Sequence, residues 1–284
     1  MEWNWKNEEQ PKMEMVRKQD VTFLRFPSFT ETGMVRHGFS TRLGGVSKGI
    51  FGTMNLSFTR GDDPEAVMTN YRRLMEAMEM DYRNIVTSDQ THTTNVRLVT
   101  GKDRGSGILR PRAYQNVDGM ITREPNVILA TSYADCVPLY FLDPVQRAVG
   151  LSHSGWKGTA GKIGSVTVEA MKKEFGSRPE DILAAIGPSI CQDCYEVSQD
   201  VIEEFKKSFR PQQYPALFYQ KENGKYQLNL WEANRLILEE AGILPDHISM
   251  PNLCTCCNPQ FLFSHRASQG KRGNLGAFME LLPE

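Results

Sequence analysis

Histidine is scarce in this chain. Its 284 residues include only five (His37, His92, His153, His247 and His265), and no two of them form a His-x-His pair. A multicopper oxidase needs a mononuclear copper centre and a trinuclear cluster, and therefore many imidazoles, so that class is excluded. An excess of either charge is also missing, since Lys plus Arg is 33 and Asp plus Glu is 34. Broad electrostatic binding to nucleic acid or anionic membrane needs a basic excess or stripe, so neither is an expected partner. No stretch approaches the roughly 20 apolar residues of a membrane-spanning helix. The N-terminal MEWNWKNEEQPKMEMVRKQD is charged throughout and has no apolar signal core, which leads to a cytoplasmic expectation. In that compartment the six cysteines read as reduced thiols or metal ligands, not as a disulfide framework. There is no fixed-period repeat and no Pro/Ser linker. The organisation is therefore read as one domain over residues 1–284, with 1–20 a flexible N-terminal extension.

What is present is a mixture of helical and strand patterns. Asp63-Pro64 has the form of a helix start, the acid as N-cap and proline at the first position, and Val67, Tyr71, Leu74 and Met78 follow at helical spacing. A second helix is expected through Ile163, Val166, Ala170 and Met171 up to Gly176. Others are expected after Ser198 and from Leu230 to Ala241, closed by Gly242. Strands are expected at Thr22–Phe26, Ile85–Thr87, Val127–Thr131, Val137–Leu142, Ala148–Ser152, Ile182–Ile186 and Phe261–Ser264. Helices and strands do not alternate regularly, so the expected class is α+β, with mixed β-sheets and packed helices, not a doubly wound nucleotide-binding sheet.

Three short segments each place one metal-type ligand beside turn and polar residues: Gln90-Thr91-His92, Ala134-Asp135-Cys136 and Ser152-His153-Ser154-Gly155-Trp156. Two imidazoles and a thiolate supply three corners of a tetrahedral zinc site, and an open fourth corner distinguishes catalytic from structural zinc. Such a site also accepts copper. The same atoms suit a cysteine hydrolase with Cys136 as nucleophile, His153 as base, and Asp135 or His92 orienting it. Gly155–Lys162 is glycine-rich, carries two lysines and precedes a helix, an arrangement that favours an anion. It serves equally as a tight turn, and its spacing is not that of a Walker loop. Arg42, in Ser40–Ser47, can grip a phosphate or carboxylate with its fork. Cys191-Gln192-Asp193-Cys194 and Cys254-Thr255-Cys256-Cys257 invite a second, structural zinc. The alternative is free thiols.

The chain resembles the YfiH/YlmD laccase-domain family of bacteria. The match runs through His37–Arg42, Gly44–Ser47, Asn55–Ser57, Gln90–His92, Asp118–Thr122, Ala134–Pro138, His153–Gly158, Ile186–Pro188 and Tyr195–Val197. The number and order of these segments make it specific. The resemblance implies a fold related to toxin-type cysteine hydrolases and a zinc-dependent purine nucleoside enzyme. Its expected activities are phosphorolysis of adenosine, inosine or methylthioadenosine and deamination of adenosine. It places the zinc on His92, Cys136 and His153, with copper a possible in vitro substitute, and substrate or phosphate near Ser40, Arg42, Asn55 and Lys157. Asp135 is the candidate proton donor to departing ammonia. Lys157 stands where the family often has arginine, and Ser189 where it usually has cysteine. The expected partners are nucleosides and phosphate, with the chain a monomer or homodimer. Amide hydrolysis, including peptidoglycan-precursor editing, and a metal- or redox-sensing role for the Cys254–Cys257 cluster are the competing functions.

Overall fold

A computed structural model describes residues 2–284. Two six-stranded sheets face each other. In the first, the order is Glu14–Lys18, Val21–Arg25, Val35–Ser40, Leu275–Leu281, Ile128–Tyr133 and Ile85–Thr87, antiparallel except for the last pair. In the second, the order is Ile248–Ser249, Leu183–Ile186, Val137–Asp143, Ala148–Ser154, Gly119–Thr122 and Val96–Leu98, antiparallel in the middle and parallel at both edges. A small sheet of Glu196–Val197, Tyr226–Leu228 and Phe218–Gln220 lies apart from them.

Period-two alternation separates the layers. In Val137–Asp143, Tyr140 and Leu142 join Leu129, Tyr133, Ala277 and Met279 in the core between the sheets. From the same strand, Val137, Leu139 and Phe141 turn the other way, onto helices Ile163–Phe175, Gln199–Ser208 and Leu230–Glu240. The first sheet sends Phe23, Ile128, Ala130 and Phe278 outward onto Val67, Leu74 and Met75 of helix Pro64–Ala77. The result is a helix–sheet–sheet–helix sandwich, a mixed α+β fold whose central strands are covered on both faces.

The helix punctuation acts where the sequence places it. The Asp63 carboxylate accepts from Glu65 N at 3.0 Å, and Gly176 closes its helix in the left-handed region at φ 76°. Phe261–Ser264 is a correction, because it forms no strand. Phe261 N and Leu262 N both donate to the Asn258 carbonyl, so this buried run is a turn that fills the core without joining a sheet. The N-terminal stretch, expected as an extension, packs against the rest of the chain. Glu14–Lys18 is a sheet edge, Met13 is buried, and Trp3 stacks on Phe261 at 4.4 Å between ring centroids. Asn4 and Asn7 are tied by side-chain–backbone hydrogen bonds to Asn258 and Asn252. Apolar burial and these bonds together outweigh the entropy of a free arm. Among the described residues no helix is long and apolar enough to cross a membrane.

Trp3→Ala removes this anchor and is expected to lower the unfolding free energy by about 2–4 kcal/mol. Urea denaturation measures the loss, and a change within about 0.5 kcal/mol, the range of a surface substitution, would mean the arm is not docked.

Candidate metal centre and active site

Strand register brings the first two ligands together. Val137 pairs with Ser154 and Pro138 with His153, so Cys136, one residue before the strand, is the diagonal neighbour of His153. Both lie on the face that looks between the two sheets. The third ligand, His92, comes from the loop after Ile85–Thr87, and a side-chain amide holds that loop in place. Gln90 Nε2 donates to the Ser132 carbonyl at 2.8 Å, and Gln90 Oε1 accepts from Ser132 N at 2.7 Å. His92 itself sits in the left-handed region at φ 63°. Its ring meets the His153 ring edge-on, with centroids 4.9 Å apart and planes at 80°.

Ligand atoms of His92, Cys136 and His153 lie within 4.8 Å of one another, and burial increases from exposed His92 through Cys136 to buried His153. The setting suits a metal ion in two further ways. A Cβ on Gly155 would meet His92 Cδ2 at 2.7 Å and Cys136 Sγ at 3.2 Å, so any residue but glycine would crowd the ligands. His153 Nδ1 lies 2.8 Å from Asp118 Oδ1, which turns the other ring nitrogen towards the shared space.

Asp118 carried no role in the sequence reading beyond its place in a matching motif, yet it organises both histidines. Its fully buried carboxylate accepts from the backbone N–H of Thr91 (3.0 Å), His92 (3.1 Å) and Thr93 (2.8 Å) as well as contacting His153. Burial pushes its carboxyl up, but the His153 contact and the Thr93 and Thr91 amides more than reverse that and lower it to about 2. For Cys136, burial also pushes the thiol up, and His153 and His92 pull it down to about 6. For His153, burial favours the neutral ring, but Cys136 and Asp118 together raise it to about 9. Both shifts favour the thiolate–imidazolium form of the metal-free pair.

The three ligands line a cavity of about 990 Å³. Four arginines reach its wall: Arg60, Arg110, Arg112 and Arg272. Arg112 is neutralised by Asp89 at 3.0 Å, and Arg110 donates to the backbone carbonyls of Arg104 and Lys102. Arg272 differs. Its Nε is buried without a partner, and burial plus the nearby Arg60 charge lower its guanidinium to about 10. Phe58, Ile108 and Tyr114 add apolar surface to the same cavity.

The anion- and proton-handling residues expected from the sequence are placed elsewhere, and none of them lines this cavity. Arg42 spends its fork on the Gly52 carbonyl (2.9 and 2.7 Å) and the Pro259 carbonyl (2.8 Å) and lies over Phe263. Lys157 lies over the Trp156 ring. Ser40 Oγ accepts from Gly276 N, and Asn55 is buried and bonded to Asn274 N, Ser57 and Asp62. Asp135, at φ 89°, has both oxygens occupied, one by Thr255 Oγ1 and one by Arg266 N, each at 2.7 Å. These five brace the loops around the site. Arg60 and Arg272 escaped notice because they belong to loops without a motif and meet only in the folded chain.

Two imidazoles and a thiolate converging at the mouth of a sheet sandwich define a candidate transition-metal centre with an open side. The chain belongs to the family described as multi-copper polyphenol oxidoreductase laccase, whose model matches residues 36–282. It is 40% identical over 243 residues to purine nucleoside phosphorylase YlmD of Bacillus subtilis, covering 85% of this chain and 87% of that one. It is 34% identical over 230 residues to adenosine deaminase RL5 from an unknown prokaryotic organism, covering 80% of this chain and 87% of that one. The crystal structure of YlmD from Geobacillus stearothermophilus superposes with a TM-score of 0.89 at 36% identity, over 96% of this chain and all of that one.

Asp118→Asn leaves shape but removes charge, and is expected to weaken metal binding about 10–100-fold. Chelator competition measures this, and a change below about twofold would remove Asp118 from its orienting role. Metal uptake should also depend on pH. Binding needs a thiolate and neutral imidazoles. Between about 6 and about 9, Cys136 is already a thiolate and His153 must lose its proton. Apparent affinity should therefore rise about tenfold per pH unit across that window and more steeply below it, where the thiol is protonated too. The same competition assay at stepped pH checks it, and a flat response across the window would show His153 neutral in the free protein.

Proposed function

We propose that the chain is a zinc-dependent purine nucleoside enzyme. In this reading it splits adenosine, inosine and methylthioadenosine with phosphate, giving the free base and ribose 1-phosphate or its methylthio analogue, and it also deaminates adenosine hydrolytically. The observation that carries the reading is the convergence of His92, Cys136 and His153 on the cavity that Arg60 and Arg272 also line. Similarity to purine nucleoside phosphorylase YlmD of Bacillus subtilis and to adenosine deaminase RL5 supports the two activities.

His92, Cys136 and His153 would hold the metal, and Asp118 would fix the His153 ring. Zinc bound there supplies Lewis acidity at neutral pH, and the same donors accept copper. Arg272 and Arg60 hold the phosphate. The unpartnered Arg272 Nε and the mutual repulsion of the two cations both favour an anion between them. In phosphorolysis a phosphate oxygen bonds to the anomeric carbon as the glycosidic bond breaks, and the bond's electrons leave with the purine. The arginines keep the nucleophile in place for that displacement. Phe58, Ile108 and Tyr114 offer the planar base an apolar wall.

A second reading has one specific observation in its favour. Cys136, His153 and Asp118 are arranged as thiolate, imidazolium and orienting carboxylate, the order of a cysteine-dependent amide hydrolase, and such an enzyme could edit peptidoglycan precursors. Amide hydrolysis that survives removal of the metal would establish it.

The test is a product assay on adenosine and inosine, with and without phosphate. Adenine or hypoxanthine with ribose 1-phosphate is expected, and inosine alone from adenosine would leave only deamination. Cys136→Ala should lower metal content and both activities together. Arg272→Ala should raise the KM for phosphate about 10–100-fold, the value of a hydrogen bond to a charged group. An unchanged KM would move the phosphate elsewhere.

A further inference from the structure

Outside the cavity a second group of thiols converges, and it is built from two Cys-x-x-Cys pairs. Cys191 and Cys194 lie on the loop containing the short 3-10 turn Gln192–Cys194, and Cys254 and Cys257 lie on the turn before Asn258. All four Sγ atoms lie within 4.8 Å of one another, with Cys191–Cys257 at 4.0 Å and Cys194–Cys257 at 3.5 Å. A disulfide would require about 2.05 Å. A tetrahedron with Zn–S bonds of about 2.3 Å has edges of about 3.8 Å, and the measured separations bracket that value.

We infer that Cys191, Cys194, Cys254 and Cys257 form a tetrathiolate site for a structural zinc ion, separate from the three-ligand centre. Four cysteine ligands leave no open corner, so this site is closed to substrate and does no chemistry. The surroundings suit a zinc tetrathiolate, which carries two net negative charges. Cys191 N donates to Cys254 Sγ at 3.2 Å, as backbone amides do around metal-bound sulfur. Lys6, ion-paired with Asp193 at 2.7 Å, also interacts electrostatically with Cys191 and Cys257. On binding, each thiol gives its proton to solvent and its lone pair to the metal, with no redox change. Cys256 is the cysteine left over.

The ion ties together two segments, Cys191–Cys194 and Cys254–Cys257. Ser189 and Cys254 already form an isolated parallel bridge, and Lys6 adds the N-terminal arm. Between two of the ligands, Thr255 donates to Asp135, the residue before Cys136. The closed site therefore braces the turn that presents the Cys136 ligand.

The test uses the full chain purified under reducing conditions, with zinc measured by elemental analysis. The wild type is expected to hold two zinc equivalents per chain and Cys136→Ala one. The remaining ion in that variant is expected to be replaceable by cobalt with the intense visible bands of a tetrahedral tetrathiolate. The double variant Cys194→Ser/Cys257→Ser should lose one equivalent and keep the other. Should that variant fail to fold, Cys136→Ala with its cysteine cluster intact still decides the matter. A Cys136→Ala protein without metal, one whose mass shows the four thiols oxidised to disulfides, or one that holds iron would each overturn the assignment.

Discussion

The candidate site depends on one buried carboxylate. Asp118 gathers three consecutive amides, Thr91 to Thr93, and the Nδ1 atom of His153. Those contacts shape the loop that carries His92 and set the direction of the second imidazole at the same time. A single anion thus positions two ligands, one from a loop and one from a strand, before any metal arrives. Hydrogen bonds to a buried charge are among the strongest a protein makes, and removing the charge would leave several donors without an acceptor. Cys136 needs no such help, because antiparallel register already sets it beside His153.

The sandwich explains why the chemistry lies where it does. Its interior is closed by Tyr133, Tyr140, Leu151 and their neighbours, all buried. Only where the second sheet runs out, at Cys136 and His153, does the gap between the layers open into the cavity. Arg60 and Arg272 arrive from loops flanking the first sheet, which also anchors the His92 loop, while Cys136 and His153 come from the second, so the cavity draws on both layers. Neither sheet alone would hold a metal and an anion together.

Local chemistry was legible and convergence was not. Asp63-Pro64, Gly176 and Gly242 each act through their own backbone, and the helices start and stop beside them. The three metal-type ligands stood out because His and Cys are rare and each sits in a polar turn. Arg42 and Asp135 bond to protein partners instead of lining the cavity, and a charged side chain in a loop has the same local sequence whether it meets a ligand or a carbonyl. Leu275–Leu281 escaped as a strand because both its faces are buried, which leaves an almost continuous apolar run with no alternation to read. Phe261–Ser264 is the converse, a buried run with strand composition whose amides are claimed by Asn258.

That late strand has a consequence for how the molecule is made. Leu275–Leu281 is an interior strand of the first sheet, hydrogen-bonded on one side to Val35–Ser40 and on the other to Ile128–Tyr133. Residues more than two hundred positions apart must therefore find each other before the layer is whole, a pairing of high contact order and slow by nature. During synthesis the two flanking strands leave the ribosome long before their shared neighbour and must wait with unpaired edges. The Gln90 clasp that carries His92 rests on Ser132 in one of those waiting strands. The His92 loop therefore rests on a strand whose second edge is covered only when Leu275–Leu281 arrives.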